Sequence, residues 1–222
     1  GLVTIVKIMG RNAGWLTGAA ALSAGEDCEG PDLIYLPEVA FDIEDFLSRV
    51  KKLLEKKPFV IAAVSEGIRL EDGRYVCELT DGVDFVDAFG HKQLTGTANY
   101  LARRLSQEIG CKTRSIELSS LQRAASHLAS RIDILEAFQV GGAAVKAADE
   151  GDTGEMVILK RISDDPYQCT TELRNVHKVS NVEKTVPREW INKNGTYVTE
   201  EFISYVRPLI QGDVSPVMVD GI

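Results

Sequence analysis

The sequence is poor in the residues that build metal centres and disulfide frameworks. It has four cysteines and three histidines among 222 residues. The cysteines are far apart, with no Cys-x-x-Cys pair and no histidine at metal-ligand spacing from them: Cys28, Cys77, Cys111 and Cys169. We therefore predict reduced thiols in a cytoplasmic protein, with no metal site formed by this chain.

Long apolar runs, a secretory leader and an excess of basic residues are also missing. No apolar run is long enough to cross a bilayer, and the opening GLVTIVKIMG lacks the basic region and cleavage site of a signal peptide. The net charge of −8 argues against nucleic acid or an anionic membrane as partners. Local arginines can still bind a small anion. There is no initiator methionine, and the chain starts at a strand, so we expect a fragment.

The residues that are present suit a globular protein with a real core, since 44% are apolar and 26% are charged. Hydrophobic patterning predicts strands at 2–8, 32–36, 59–65, 112–118 and 155–161. It predicts helices at 12–24, 41–57, 93–109, 132–149 and 199–210, with Asn12 and Asp42 as N-caps of the first two. A turn at Asp72-Gly73 predicts a hairpin over 68–79. Because the strands are apolar on both faces, we predict an α/β fold with a mostly parallel sheet flanked by helices.

Polar residues follow or occupy the ends of these strands. In an open α/β sheet, ligands bind beyond the carboxyl ends of the strands. Arginine forks match phosphate oxygens, and a carboxylate accepts sugar hydroxyls, so a convergent set predicts a site for a phosphorylated polyol. The set is Met9-Gly10-Arg11, Glu38, Glu66, Arg114, Ser120 and Arg123.

Each of these residues also has a plain structural interpretation. A single arginine after a strand is usually a solvated charge, Glu38 can pair locally, and Glu66 can simply open the hairpin. His91 and His127 are candidate bases, but neither has a Ser or Cys nucleophile and an orienting third residue in view.

Five segments, in this order along residues 3–150, resemble the phosphofructokinase family, and most closely its pyrophosphate-dependent-type branch. They are IVKIMGRNAGWLTGAAALS, LPEVAF, AAVSEG, FGHKQLTGTANYLA and RSIELSSLQRAASHLASRIDILEAFQVGGAAV. The resemblance implies that Met9, Gly10 and Arg11 contact fructose 6-phosphate. It also implies a catalytic role for Arg11 in neutralising charge on the transferring phosphoryl group.

The remaining motif positions receive roles by the same resemblance. Glu66 would bind sugar hydroxyls, and Arg114 would bind the 6-phosphate in a neighbouring subunit's site. Arg123 would contact the same phosphate. Ser120 stands where many members have His or Tyr, and its hydroxyl can still donate a hydrogen bond. Ala124-Ala125 replaces a frequent glycine pair, so we expect a different local turn.

Two segments of the family have no counterpart here: the Gly-Gly-Asp donor loop, and the Thr-x-Asp-x-Asp segment that supplies the catalytic base and helps to hold magnesium. The chain therefore resembles the carboxyl-terminal half of such an enzyme. Residues 1–122 would form the sugar-phosphate-binding domain, incomplete at its N-terminus. Residues 123–185, with the helix at 132–149 and the strand at 155–161, would return to a largely missing donor-binding domain. Residues 186–222 would be a tail that packs back on the first domain.

The activity implied by the resemblance is a step of glycolysis. A phosphoryl group would pass from pyrophosphate or ATP to the 1-hydroxyl of fructose 6-phosphate, in a cytoplasmic homo-oligomer with shared sites. Mg²⁺ would be held by residues outside this chain, and the isolated fragment would be inactive. The alternative is a non-catalytic sugar-phosphate-binding or regulatory module of the same fold.

Overall fold

The computed structural model describes residues 1–80, 94–215 and 218–220, which divide into two compact units. Unit 1 comprises Gly1–Arg123 and Lys184–Ile203, and unit 2 comprises Ala124–Glu183 and Ser204–Ile222. The predicted tail, 186–222, is thus divided between the two units. The identification of these units with a sugar-phosphate domain and a donor domain stays a prediction.

Unit 1 is built on a four-stranded sheet of β1 (Leu2–Ile8), β2 (Leu33–Tyr35), β3 (Phe59–Ser65) and β4 (Lys112–Glu117). The strand order is β2-β3-β1-β4, and every pairing is parallel. The predicted parallel sheet is therefore confirmed. Because all four strands run the same way, their carboxyl ends lie at one edge.

The helices of unit 1 are α1 (Trp15–Gly18), α2 (Ile43–Leu54), α3 (Thr97–Ile109) and the single-turn α4 (Ser120–Arg123). The side chains of α2 and α3 pack on one face of the sheet and form its core with the alternate residues of β1 and β3. The predicted cap of α2 is confirmed, since Asp42 Oδ1 accepts a hydrogen bond from Asp45 N at 3.0 Å. Helix α3 ends at Gly110, whose φ of +72° suits glycine.

The opposite face of the sheet is only partly covered. The 3₁₀ turn Ala19–Ser23 lies over this face, where Ala20 and Ser23 line a cavity with Val6 and Ala63 that extends to Lys57 before β3. Towards the amino end of β3, Phe59 is 62% exposed. Parallel sheets are normally buried on both faces. The exposed apolar side chain on this face therefore indicates a surface that another element covers.

The predicted helix at 12–24 is wrong in its first turn and in its regularity. Helix α1 begins at Trp15 with Gly14 as its N-cap and passes into the 3₁₀ turn after Gly18. Asn12 does not cap it, because the Asn12 side-chain oxygen accepts a hydrogen bond from Arg69 Nη2 at 3.1 Å. Helix α1 also has to pass beside Phe202, whose ring lies 2.5 Å from the position that a Cβ at Gly18 would take.

The predicted hairpin at 68–79 keeps its turn but loses its strands. Gly73 has a φ of +86°, and Leu70 N donates to Arg74 O across the Asp72-Gly73 turn at 2.9 Å. Pairing beyond the turn is limited to one bridge, between Arg69 and Tyr75, and the chain then enters a 3₁₀ turn at Val76–Leu79.

Unit 2 contains α5 (Arg131–Asp149) and an antiparallel pair of β5 (Glu155–Asp164) and β6 (Tyr167–Asn175). The predicted helix and strand are confirmed, but β6 was missed, because its polar sequence YQCTTELRN lacks a continuous apolar run. The predicted final helix is shorter than 199–210: α6 is Glu200–Val206, and a 3₁₀ turn follows at Arg207–Ile210. No helix in the described part of the chain has the length and apolar character needed to span a membrane.

Candidate functional site

The loop at Met9–Arg11 leaves the end of β1 and is fixed by side chains from two other strand ends. Met9 N donates to Gln122 Oε1 at 2.8 Å, and Gly10 N donates to Glu66 Oε1 at 3.2 Å. Gly10 O accepts a short hydrogen bond from Ser65 Oγ. Three backbone polar groups of the loop are therefore bonded by residues at or beyond the ends of β3 and β4.

Two glycines allow this loop to pack closely against the end of β3. Gly10 has a φ of +154°, and a Cβ there would lie 2.9 Å from Ala13 O. A Cβ on Gly67 would lie 1.6 Å from Arg11 O, well inside van der Waals contact. Because Gly67 has no side chain, the Arg11 backbone can pack against the Ser65–Gly67 turn. This packing positions the Arg11 side chain, which is half-buried.

A buried cluster of three charges lies beneath this loop. Lys7 is only 2% exposed, and its Nζ lies 3.3 Å from Glu117 Oε2 and 3.9 Å from Glu66 Oε2. The same Nζ donates to Leu94 O at 3.1 Å. Glu117 Oε1 accepts from Gly96 N, the N-cap of α3, at 2.9 Å. The cluster carries one positive and two negative charges.

Helix α4 brings Ser120 and Arg123 to the same edge. Both side chains are exposed, and Gln122 between them is the residue that bonds Met9 N. The turn before α4 places Ser119 at a φ of +46°, an uncommon conformation for a residue with a Cβ. Two predicted site residues therefore share one helical turn with a residue that touches the Met9–Arg11 loop.

Arg114 lies apart from this group. The register of β4 pairs it with Thr4 in the middle of β1, three residues before the strand ends at Glu117, or roughly 10 Å along the strand. Its side chain is exposed. Its predicted role in a neighbouring subunit's site stays a prediction.

Glu38 has a local structural role in unit 1. Its Oε1 accepts from Gly14 N at 2.8 Å and from Val186 N at 2.9 Å, which holds the start of α1 to the segment that returns from unit 2. The plain interpretation of this residue therefore holds. His127 is exposed in the 3₁₀ turn Ser126–Leu128, and His91 lies outside the described residues.

The buried cysteines are unsuited to nucleophilic chemistry. Burial raises the pKa of the Cys77 thiol, and the neighbouring Glu78 carboxylate acts in the same direction. Burial likewise raises the pKa of Cys111. Both thiols are therefore neutral at physiological pH, and the thiolate is the reactive form.

Sequence reasoning missed Lys7, Glu117, Gln122 and Gly67. One signal was available for Lys7: a lysine inside the apolar strand LVTIVKI needs a partner, because a buried unpaired ammonium is costly. Glu117, at the end of the neighbouring predicted strand, was the matching carboxylate. Gln122 and Gly67 gave no comparable signal, because their contacts depend on the path of the folded chain.

Within the described residues, no three His, Cys, Asp or Glu side chains come together in a way that could hold a metal ion. The candidate site offers two arginines, a carboxylate and a hydroxyl. This donor set suits a hydroxylated anion better than a cation.

The family model for phosphofructokinase matches residues 1–148 of this chain. The chain is 39% identical over 220 residues to a pyrophosphate–fructose 6-phosphate 1-phosphotransferase of Halomonas elongata, covering 99% of this chain and 52% of that protein. It is 39% identical over 211 residues to the protein of the same name from Xanthomonas campestris, covering 95% and 50%.

Solved structures give the same result. A pyrophosphate-dependent phosphofructokinase from Marinobacter aquaeolei superposes with a TM-score of 0.83 at 32% identity, covering 99% of this chain and 50% of that one. The corresponding protein from Nitrosospira multiformis gives 0.83 at 33% identity. The chain spans about half the length of the relatives that it matches.

Proposed function

Because this chain belongs to the phosphofructokinase family, we propose that it supplies the fructose 6-phosphate site of a phosphotransferase. The observation that carries the proposal is the joining of three strand ends. The Met9–Arg11 loop is hydrogen-bonded to Glu66 after β3 and to Gln122 after β4. This convergence supports a single site at the carboxyl edge of the sheet, where α/β proteins bind ligands.

Each group at this edge has a role that fits a sugar phosphate. Arg123 and the Ser120 hydroxyl would bind the 6-phosphate. Glu66 would accept sugar hydroxyls, since a carboxylate with one amide donor at Oε1 retains several lone pairs. Met9 and Gly10 would form the wall of the site through their fixed backbone.

Arg11 would act at the reacting end of the sugar. Phosphoryl transfer depends mainly on positioning and on neutralising the negative charge that spreads over the transferred group. A guanidinium held at the end of β1 can supply this neutralisation without accepting or donating a proton. The base for the 1-hydroxyl would come from outside this chain.

Pyrophosphate is the donor that we propose, because the relatives are named as pyrophosphate-dependent enzymes. Magnesium accompanies such chemistry in this family, but the described residues do not form a site that fits it. Magnesium would therefore be held by residues outside this chain.

We further propose that the complete protein is a cytoplasmic homo-oligomer and takes part in glycolysis. Arg114 would then reach the 6-phosphate of a neighbouring subunit, which accords with its exposed position on an outer strand of the sheet. Nucleic acid and membranes are not expected partners, given the net charge of −8.

Calorimetric titration of fructose 6-phosphate into the chain tests the site. We expect weak binding by the parent, and an affinity at least about tenfold lower for Arg11→Ala, since a charged hydrogen bond is lost. Arg49→Ala is the matched control, because Arg49 pairs with Asp45 on α2, away from the strand ends. Equal binding by Arg11→Ala and the parent would remove Arg11 from the site.

A further inference from the structure

The role of the buried Lys7 goes beyond the groups that would touch a substrate. Lys7 lies in the core-facing set of β1 with Val3 and Ile5, where an ammonium group is rare. Burying a charge is costly unless it is paired and hydrogen-bonded. Lys7 meets this condition through Glu66, Glu117 and the carbonyl of Leu94.

The cluster connects the Met9–Arg11 loop to the start of α3. One carboxylate, Glu66, accepts the amide of Gly10 in the site loop. The other, Glu117, accepts the amide of Gly96, which is in the left-handed conformation at the start of α3. Lys7 lies between them, so the chain of contacts runs from Gly10 through Glu66, Lys7 and Glu117 to Gly96.

We propose that Lys7 is a positioning residue that fixes the Glu66 carboxylate for recognition of the sugar hydroxyls. This inference rests on the proposed function and deepens it. The Lys7 ammonium lies 3.9 Å from Oε2 of Glu66, so its charge attracts this oxygen while Oε1 accepts the Gly10 amide. The consequence is selectivity for a hydroxylated phosphate ester over inorganic phosphate.

The ligand test compares fructose 6-phosphate with inorganic phosphate as probes of the 222-residue chain. We expect Lys7→Met to weaken binding of fructose 6-phosphate by about tenfold or more, because the ionic attraction that orients the Glu66 carboxylate is lost. Binding of inorganic phosphate, which uses the arginines alone, should change by less than about twofold. Glu66→Gln should give the same loss, and combining the two substitutions should add little, because both act through one carboxylate.

Lys57→Met is the matched control. Lys57 also contacts two carboxylates, Glu29 and Asp32, but it precedes β3 at the opposite end of the sheet. It should not alter the affinity for either probe. Lys7→Met leaves two unpaired carboxylates, which can impair folding. A variant that combines Lys7→Met with Glu117→Gln keeps the cluster's original net charge of −1. It should still lack selectivity for fructose 6-phosphate over inorganic phosphate.

Amide hydrogen exchange provides a test that needs no ligand. In Lys7→Met, the Gly10 and Gly96 amides should exchange faster by about tenfold, since their carboxylate acceptors are no longer held. The Met9 amide, bonded to Gln122, should keep its protection. Unchanged exchange at Gly10 together with unchanged selectivity would overturn the role of Lys7. A parent chain that binds neither probe would instead overturn the proposed function, while the exchange measurement would still decide the role of Lys7.

Discussion

Gly67 lies directly beneath the backbone of Arg11, and this contact depends on the absence of a side chain. In Gly67→Ala, a Cβ would stand 1.6 Å from Arg11 O, so the loop or the Ser65–Gly67 turn has to move. We expect a destabilisation of about 1–3 kcal/mol, the usual cost of overpacking, together with loss of fructose 6-phosphate binding.

Thermal unfolding and calorimetry measure both effects. Gly141→Ala is the control, because nothing lies within 4 Å of a Cβ at that position in α5. Alanine there should stabilise the helix by roughly 0.5–1 kcal/mol. An unchanged melting temperature for Gly67→Ala would mean that the loop does not pack as described.

The cysteines differ in burial, which leads to a second prediction at the residue scale. Cys28 is exposed and Cys77 is buried, and burial raises the pKa of Cys77. A raised pKa keeps the thiol neutral to higher pH, so at pH 8 Cys28 should react with iodoacetamide well before Cys77. Peptide mass spectrometry over time measures this order. Early labelling of Cys77 in the folded chain would contradict its burial.

A site residue was predictable from the sequence only where the neighbouring residues indicated its position. Arg11 and Glu66 follow apolar runs, so their location at strand ends follows from the pattern alone. Gln122 bonds a backbone amide 113 residues away, and Glu66 bonds one 56 residues away. Such partners arise from strand order, which hydrophobic periodicity does not contain.

Helix α2 is the element whose sequence and structure agree most fully. Its apolar stripe, acidic first turn, basic last turn and Asp42 cap were all predictable from local sequence. We expect Asp42→Ala to lower the free energy of unfolding of unit 1 by about 1 kcal/mol, because the Asp45 amide loses its acceptor.

Asp42→Asn is the control for this cap, since asparagine keeps a side-chain oxygen. Denaturant unfolding followed by signals from unit 1 measures the difference. If Asp42→Ala and Asp42→Asn were equally stable, the hydrogen bond to Asp45 would have no part in stabilising α2.

The elements that were mispredicted depend on tertiary contacts. Helix α1 is short because Asn12 is bonded to Arg69 and because the chain passes beside Phe202. The second arm of the predicted hairpin becomes a 3₁₀ turn after Val76 N bonds Ile68 O. Strand β6 is polar and was visible only through its pairing with β5. Helix α1 is thus decided by partners distant in sequence, and β6 by a pairing that leaves no apolar pattern.

At the scale of the whole molecule, the chain resembles half of its relatives and has large apolar side chains in contact with solvent. The family and the parallel sheet were predictable, because several ordered motifs carry the resemblance and are confirmed by the family model. On helix α5, Phe138 is 79% exposed to solvent and Val145 is 72% exposed.

These exposed side chains predict self-association. We expect the mass measured by size-exclusion chromatography with light scattering to rise with protein concentration. Replacing both Phe138 and Val145 with serine should reduce this rise, whereas Val182→Ser, at a 67% exposed position outside α5, should have a smaller effect. A monomeric mass at every concentration would contradict the prediction.

The isolated chain should also lack turnover. Under the proposed function the base for the 1-hydroxyl lies outside this chain, since the sequence has no counterpart of the Thr-x-Asp-x-Asp segment. A coupled assay with fructose 6-phosphate, pyrophosphate and magnesium should give no product above background. Measurable 1-phosphorylation by the pure chain would show that its own residues complete the catalytic site.

Under the proposed function, a sugar phosphate binds where the ends of β1, β3 and β4 meet. Amide chemical-shift mapping of the isotope-labelled chain with fructose 6-phosphate tests this location. We expect the largest shifts at Met9–Arg11, Glu66 and α4. Shifts concentrated instead around Cys28 and Lys57, at the opposite end of the sheet, would contradict it.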